Sequence, residues 1–316
     1  MDTKEKMYHF IVNTTASSGA ASGTWETVRK ILSEENIAYK VYFPENRDNT
    51  VDLTRKLTGN SDEECHLVVL GGDGTLNAVL QGIESFERTK LSCICTGSGN
   101  DFAGNMHITK DAGKALNGIL HHPEESVMDY GELFWQKDTD GKEGRRRFLI
   151  SSGIGYDADI CEEVSRSRLK HALNRVHMGK LVYVMVGIKQ IFTRHCRRAV
   201  IKIDDRESIR VSGLFFAVGM IHACEGGGVP FCPSADPADG LLEICIVRDM
   251  AKWKLFLAVM LVYLKKHYLF REVTGCRGRM ITITTEKPEW FHMDGETPCK
   301  VRRLTLKCRK GLRVVM

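Results

Sequence analysis

The sequence predicts an α/β plus β protein, in which a doubly wound, mainly parallel sheet is followed by an antiparallel β-sandwich domain. Its 316 residues exceed the length at which one hydrophobic core usually divides into two. Strand and helix patterns alternate in the first part, whereas strand patterns separated by turns dominate the rest. We expect domains at 1–130 and 131–300, and a final strand or tail at 301–316 that could return to the first domain.

The first domain begins with a strand at 8–12, followed by a loop at 13–23 that is rich in Ser, Thr, Gly and Ala. A helix is predicted at 25–35 because Trp25, Val28 and Leu32 share one face. The later elements keep the alternation: a strand at 37–43, a helix at 51–57, a strand at 66–70, a helix at 75–83 and a strand at 91–95. This order is typical of a parallel sheet, whose ligands bind at the carboxyl ends of its strands.

The second domain is predicted from short apolar strands joined by turns. These strands lie at 131–135, 147–151, 199–204, 208–218, 241–247, 280–285 and 304–308. Two helical insertions, at 167–192 and 252–270, interrupt them. We expect both helices to pack against the sandwich with their lysines in solvent.

Composition excludes several classes of protein. With 43% hydrophobic and 27% charged residues the chain is an ordinary globular protein, and a net charge of +5 is too weak to indicate a nucleic-acid partner. Eleven cysteines without metal-ligand spacing favour reduced thiols in a cytoplasm. The longest apolar run, 255–264, has ten residues, whereas a membrane-spanning helix needs about 20. The basic run 145–147 is expected to be a solvated loop or the start of a strand.

The strongest motif follows the strand at 66–70. Three glycines surround an aspartate, and a helix then begins, in Leu70-Gly71-Gly72-Asp73-Gly74-Thr75-Leu76-Asn77. Glycines allow the backbone to approach a phosphate closely, and a helix start presents amide groups to an anion. Alone, the motif is equally compatible with a strand-to-helix turn that merely tolerates glycine.

A second loop repeats this pattern after the strand at 91–95, with the sequence Thr96-Gly97-Ser98-Gly99-Asn100-Asp101-Phe102-Ala103. Together with the loop at 13–19, these segments predict three phosphate-binding loops at one edge of the sheet. Three such loops are hard to explain by turn chemistry alone.

These two motifs resemble the diacylglycerol kinase catalytic domain family in its bacterial form, which is related to sphingosine and ceramide kinases. GGDGT (71–75) and GSGNDFA (97–103) carry the resemblance. Further motifs follow in the family's order: Asp129-Tyr130-Gly131, the segment 148–158, Gly226-Gly227-Gly228, the segment 233–242 and Asp294-Gly295-Glu296. This ordered set is more specific than GGDGT, which NAD kinases and phosphofructokinases share.

The resemblance implies a phosphofructokinase/NAD kinase-like first domain and an ATP-dependent kinase that phosphorylates a lipid hydroxyl, with diacylglycerol the leading substrate. ATP and Mg²⁺ are the implied cofactors. The implied ATP-binding residues are Asn13, Thr14, Thr15, Ala16, Ser17, Gly71, Gly72, Asp73, Gly74, Thr75, Leu76, Asn77, Ala78, Gly97, Ser98 and Asn100.

The resemblance also implies the catalytic groups. Asp73, Asp101 and Asp129 would hold the catalytic magnesium, and Glu296, next to Asp294 in the Asp-Gly-Glu motif, would be the general base. A second, structural magnesium would bind Asp236, Asp239 and the backbone of Leu241. Each assignment has a plainer alternative: Asp294-Gly295 is also typical of a hairpin turn, Asp129 of a turn, and 236–240 of a loop.

Partners and competing functions follow from the implied substrate. A lipid kinase without a membrane span works at a bilayer surface, and the segments 166–192 and 252–270 combine basic with apolar residues. We therefore expect a cytoplasmic protein that could contact the inner membrane face, with a homodimer left open. The alternatives are an NAD kinase-like kinase of a soluble metabolite and a catalytically weak nucleotide- or lipid-binding homologue. A dinucleotide oxidoreductase is disfavoured because no GxGxxG opens a helix after a strand.

Overall fold

A computed structural model of the chain describes residues 6–14, 20–59, 63–97, 99–167 and 179–316. The chain divides into two compact units. Unit 1 comprises Met1–Asp129 together with Lys310–Met316, and unit 2 comprises Tyr130–Arg309.

Unit 1 is built on a parallel sheet in the order β2-β1-β3-β4. Its elements are β1 (Tyr8–Val12), α1 (Ala20–Glu34), β2 (Tyr39–Tyr42), α2 (Arg47–Gly59), β3 (Cys65–Gly71), α3 (Asp73–Gly82), β4 (Thr89–Cys95), α4 (Asp101–Asn105) and α5 (Ala112–His121). Every residue of β3 is buried, which explains its uninterrupted apolar sequence, since a central parallel strand is covered on both faces. Helices α1 and α5 share one core with β1 and β3, formed by residues such as Phe10, Trp25, Leu32 and Leu116.

The C-terminal residues add a further parallel strand to this sheet. Arg313 and Val314 pair with Lys90 and Leu91 of β4. Ser92 Oγ donates a hydrogen bond to the carbonyl of Val315 at 2.7 Å, and the Arg313 guanidinium contacts Glu64. The first strand, β1, and the C-terminal residues 313–314 therefore belong to one sheet.

Unit 2 is antiparallel. Its strands are β5 (Glu125–Lys137, which begins in unit 1), β6 (Glu143–Phe148), β7 (Ser151–Gly155), β8 (Arg197–Ile203), β9 (Ile209–Met220), β10 (Leu242–Arg248), β11 (Val273–Gly278), β12 (Met280–Met293) and β13 (Lys300–Val315, which ends in unit 1). The main path runs β11-β10-β9-β7-β12-β13; β8 pairs with β9 and β12, and β5 pairs with β6. Phe148, Ile201, Ile244, Phe291 and Leu304 belong to its main core.

Among the described residues, three helices accompany these strands: α6 (Tyr156–Arg166), α7 (Gly179–Thr193) and α8 (Lys252–Val262). A 3₁₀ turn lies at His267–Leu269. A second core joins them to the sheet through residues such as Tyr156, Ile191, Phe215 and Leu255. Helix α6 precedes the predicted insertion at 167–192 and was not predicted, whereas α7 lies within that insertion. Residues 168–178 lie outside the described part of the chain.

The basic run at 145–147 lies in strand β6. Arg145 and Arg309 both donate hydrogen bonds to the carboxylate of Glu132, a side chain that is only 2% exposed. Burial alone would raise the pKa of Glu132, but the hydrogen bonds and charges of these two arginines outweigh it and lower the pKa. The run therefore contributes an ion pair to unit 2 in which the carboxylate is buried and the Arg145 guanidinium is exposed.

The predicted fold class, a parallel α/β domain followed by an antiparallel β domain, is confirmed. The prediction at 147–151 was wrong, because that segment contains the end of β6 and the start of β7. Strand β11 was not predicted, since Val-Thr-Gly-Cys-Arg-Gly contains two glycines and has little apolar character.

Candidate functional site

In unit 1, the predicted loops meet at one edge of the sheet. Strands β1, β3 and β4 are parallel neighbours, so their carboxyl ends lie side by side. The amide of Asn13 donates to the carbonyl of Leu70 at 3.0 Å, and the amide of Thr96 donates to that of Gly71 at 3.0 Å. The described parts of all three predicted loops are therefore adjacent.

Two of the loops approach each other so closely that side chains would not fit between them. A Cβ placed on Gly97 would lie 2.7 Å from the Cα of Gly72 and 2.6 Å from Asn100 Oδ1. Asn100 adopts a left-handed conformation with a φ of 55°, and its Nδ2 donates to the carbonyl of Gly97 at 2.7 Å. Glycine is thus required at 97 by this contact between loops, and a Cβ at 72 would lie 3.1 Å from the Cα of Gly97.

Asp73 joins the same two loops. It is the first residue of α3. Its two carboxylate oxygens accept hydrogen bonds from the backbone amides of Asp101, at 2.9 Å, and Phe102, at 3.1 Å. Charge-assisted bonds of this kind are stronger than neutral ones. The carboxylate therefore fixes the start of α4 and holds Asp101 beside Asp73.

The side chains that follow Asp73 are mostly turned into the protein. Thr75 is buried, and its Oγ1 accepts a hydrogen bond from Asn13 Nδ2 at 2.9 Å. Leu76, Asn77 and Ala78 are also buried. The side chains of Leu76 and Ala78 thus belong to the core, and the amides of Thr75 and Leu76 donate to the carbonyl of Gly72.

Arg47 is a cationic residue at this site that the sequence analysis missed. It opens helix α2, and its Nη2 donates to Asn77 Oδ1 at 2.6 Å. Nothing in the local pattern at 47 indicates this role, because its partner lies 30 residues away. Among the other predicted residues, Asp129 lies on β5 and is 2% exposed. Thr15, Ala16, Ser17 and Ser98 lie outside the described residues.

In unit 2, Asp294 and Gly295 form the tight turn that their sequence also indicated. Both have positive φ values, 43° and 82°, and Met293 pairs with Glu296 across the turn. Two-residue turns of this kind favour Asp-Gly. The side chain of Glu296, 40% exposed, follows the turn, and its Oε2 lies 3.3 Å from Arg146 Nη1. Arg146 is a second cation that the sequence analysis did not connect with the motif.

The Asp294 carboxylate anchors this turn. Its oxygens accept hydrogen bonds from three consecutive backbone amides, those of Leu149 (2.8 Å), Ile150 (2.9 Å) and Ser151 (3.1 Å). The turn is thereby tied to the connection between β6 and β7. This geometry supports a positioning role for Asp294, which holds the backbone that carries Glu296.

A buried polar cluster lies next to the turn. His292 Nε2 donates to Asp157 Oδ2 at 2.9 Å, and Ser151 Oγ donates to Glu225 Oε2. Burial alone would lower the pKa of His292, but the charge of Asp157 and its hydrogen bond, with contributions from Glu225 and Asp294, raise the pKa to about 9. Asp157, Glu225 and His292 are also ligand types for a metal ion, but here the imidazole nitrogen that faces Asp157 is occupied by that hydrogen bond.

The predicted structural metal loop contains two turns closed by carboxylates. Asp236 Oδ1 accepts from the amide of Ala238 at 2.9 Å, and Asp239 Oδ1 accepts from that of Leu241 at 2.8 Å. Arg277 Nη1 lies 3.8 Å from Asp239 Oδ2. The loop therefore carries two carboxylates, the ligand type that a hard cation prefers, and the guanidinium of Arg277 lies beside Asp239.

Two family models match the chain. The diacylglycerol kinase catalytic domain matches residues 7–133, and the YegS C-terminal NAD kinase beta sandwich-like domain matches residues 150–315. Among curated proteins, YtlR of Bacillus subtilis, named as a lipid kinase, is 25% identical over 92% of this chain and 93% of its own length. A diacylglycerol kinase of Mycobacterium tuberculosis is 25% identical over 79% of this chain and 80% of its own length.

Solved structures share the fold. A crystal structure from Bacillus anthracis, titled as that of a diacylglycerol kinase, superposes with a TM-score of 0.75 at 17% identity, covering 98% of this chain and 96% of that one. Yeast NADH kinase superposes with a TM-score of 0.51 at 10% identity, covering 99% of this chain and 84% of that one. The predicted similarity to the NAD kinase fold is confirmed.

Gly97→Ala should destabilise the chain, because its new methyl group meets the backbone of Gly72. We expect a loss of about 1–3 kcal/mol in the free energy of unfolding, as for other overpacked sites. Urea denaturation followed by circular dichroism measures it. Gly104→Ala in α4 is the matched control, since a Cβ there meets nothing within 4 Å. Equal stability of the two variants would contradict the close approach of the loops.

The His292–Asp157 pair should make stability depend on pH. The pKa of His292 in the folded chain, about 9, lies above the value near 6.5 of an unfolded histidine. The stabilisation is therefore complete below about pH 6.5, declines as pH rises, and is lost above pH 9. Denaturation of wild type and His292→Gln across this range should show the decline only in wild type. His195→Gln, at an exposed position, should behave as wild type. If the stability of His292→Gln also declines with rising pH, the decline arises from other titrating groups.

Proposed function

Since the chain belongs to the bacterial lipid kinase family that combines a diacylglycerol kinase catalytic domain with a YegS-type C-terminal domain, we propose that it transfers the γ-phosphoryl group of ATP to the hydroxyl of diacylglycerol, giving phosphatidic acid. The observation that carries the proposal is the pair of glycine loops joined by Asp73. Their backbones come within van der Waals distance at Gly72 and Gly97, and such glycine-lined loops beside a helix start suit a polyphosphate.

ATP would lie against the loops that follow β1, β3 and β4. The described ATP-binding candidates at this edge include Asn13, Gly72, Gly74, Gly97 and Asn100. Arg47, fixed by Asn77, adds positive charge near α3. Phosphoryl transfer depends mainly on such positioning and on charge neutralisation.

Asp73, Asp101 and Asp129 are the residues that we propose to hold Mg²⁺. The fit is supported by the carboxylate of Asp73, which lies next to the amide of Asp101, so that two carboxylate residues share one loop junction. Magnesium prefers such oxygen ligands and retains water. When bound, the ion would neutralise charge on the phosphates. A second magnesium at Asp236, Asp239 and the Leu241 backbone would stabilise the loop before β10.

Glu296 is the proposed general base. The Asp294–Gly295 turn presents its carboxylate in a partly exposed position, where it could accept the proton of a lipid hydroxyl. Asp294 fixes the turn through three backbone amides. Arg146, at 3.3 Å from Glu296, would restrain the carboxylate before a substrate binds.

Diacylglycerol is proposed because several relatives carry that name, while YtlR and others are named only as lipid kinases. Within the described residues no helix has the length and apolar character to cross a membrane. Contact with a lipid would therefore take place at the bilayer surface. A soluble metabolite of the NAD kinase type is the second candidate, favoured only by the fold shared with NADH kinase.

Glu296→Gln should lower kcat by at least about 100-fold, because removal of a general base costs about 10²–10⁴-fold. ATP binding should not change, since the nucleotide is proposed to bind unit 1. ATP consumption with Mg²⁺ would be measured on diacylglycerol, monoacylglycerol, ceramide, sphingosine, undecaprenol, phosphatidylglycerol and NAD.

Glu286→Gln is the matched control, because Glu286 is also half exposed and paired with an arginine, Arg198. It should retain wild-type turnover. Full activity of Glu296→Gln would contradict the assignment of Glu296 as the general base. Phosphorylation of NAD and of none of the lipids would show that the substrate is a soluble metabolite.

A further inference from the structure

Helix α8 is apolar on its outer face as well as its inner one. Leu255, Ala258 and Val262 are buried against unit 2. Its exposed side chains, and those directly after it, are large and apolar: Trp253, Phe256, Leu257, Val259, Met260, Tyr263 and Leu264. A surface helix of a globular protein normally carries polar residues on the outer side, and extended apolar patches mark interaction sites. The expected packing against the sandwich holds for Leu255, Ala258 and Val262, while many of the other apolar side chains of this segment are exposed.

Helix α7 adds to this surface. It contacts α8 and exposes Tyr183, Val184, Met185, Ile188 and Phe192. We call the exposed apolar residues of α7, α8 and 263–264 the apolar face. In the described part of the chain, the apolar face thus exposes a dozen large apolar side chains, ten on the two helices and two directly after α8.

The helices of the apolar face carry only basic charges of their own, although Lys189 of α7 forms an ion pair with Glu163 of the neighbouring α6. Residues 250–271 include no acidic residue, and neither do residues 179–193. Lys265 and Lys266 are exposed directly after Leu264. Lys254, at the other end of α8, forms an ion pair with Glu272. The α8 surface therefore combines apolar side chains with lysines near its ends.

A bilayer fits this surface better than a second copy of the chain does. Two copies joined through α8 would bring their exposed lysines together, which is unfavourable. Apolar side chains can instead enter the acyl boundary while Trp, Tyr and Lys lie at headgroup level. With 11 residues, α8 is about 16 Å long, which suits an interfacial helix.

We propose that the apolar face docks on an anionic phospholipid bilayer, with Phe256, Met260 and Leu264 inserted and with Lys265 and Lys266 bound to acidic headgroups. This inference rests on the proposed function, because it names the surface through which the chain would reach a lipid substrate. Docking on a bilayer can nevertheless be measured without ATP and without turnover.

The test is flotation of the full chain with vesicles of phosphatidylcholine alone or mixed equally with phosphatidylglycerol. Wild type should bind the mixed vesicles more tightly than the neutral ones. Phe256→Glu/Met260→Glu should weaken binding to mixed vesicles by at least about tenfold. Val127→Glu/Val200→Glu is the matched control, since it adds two acidic groups at other exposed apolar positions, and it should bind closer to wild type. Circular dichroism and thermal unfolding check that each variant is folded.

Lys265→Gln/Lys266→Gln should weaken binding to the mixed vesicles by about tenfold and leave binding to neutral vesicles unchanged. The proposal is overturned if wild type does not float with the mixed vesicles, or if the two glutamate variants bind equally. It is also overturned if sedimentation shows a lipid-free dimer that only Phe256→Glu/Met260→Glu dissociates, because the apolar face would then join two copies. Loss of kinase activity on every substrate, with vesicle binding intact, would contradict the proposed function and not the docking surface.

Discussion

The candidate nucleotide site depends on one carboxylate that bonds to backbone. The Asp73 carboxylate accepts hydrogen bonds from the backbone amides of Asp101 and Phe102, and these bonds hold the loop after β4 against the loop after β3. The distance between these loops requires glycine at 97, where a methyl group would lie 2.7 Å from the Cα of Gly72, and favours glycine at 72, where it would lie 3.1 Å from the Cα of Gly97. The glycines and the aspartate therefore act together: the glycines permit the contact between the two loops, and the aspartate stabilises it. A phosphate-binding surface made of backbone needs such rigidity, because loose loops would lose entropy on binding.

Unit 2 also contains an aspartate carboxylate that fixes a turn by accepting backbone hydrogen bonds. The Asp294 carboxylate accepts hydrogen bonds from three consecutive backbone amides. These bonds stabilise the left-handed conformation of Asp294, which is strained for a residue other than glycine. The buried His292–Asp157 pair adjoins that turn, two residues before it on β12. A charged pair in a buried place stabilises only when its geometry is good. Placed here, it links the fold of the β-sandwich to the segment that carries Glu296.

The parts of the structure that could be predicted from the sequence are those with local causes. The uniformly apolar β3 and the glycines after it are adjacent in the chain, so periodicity and turn chemistry predict strand, turn and helix at 65–82. Arg47 and Arg146 could not be assigned in this way. Their partners, Asn77 and Glu296, are 30 and 150 residues away, and only the folded chain brings them together. The exposure of α8 was also hidden, because an apolar helix has the same sequence pattern whether protein or another partner covers it.

Arg146 and Glu296 show how the proposed general base can be both restrained and available. Both side chains are more than one third exposed, and ion pairs in such positions contribute only about 0–1 kcal/mol because water screens them. The pair is thus strong enough to favour one orientation of the carboxylate, yet weak enough for an incoming hydroxyl to replace the guanidinium. Glu132 illustrates the opposite case: it is buried and bound by two arginines, and leaving it unpaired would be costly. The difference in burial therefore distinguishes, within one β-sheet unit, a carboxylate suited to structure from a carboxylate suited to chemistry.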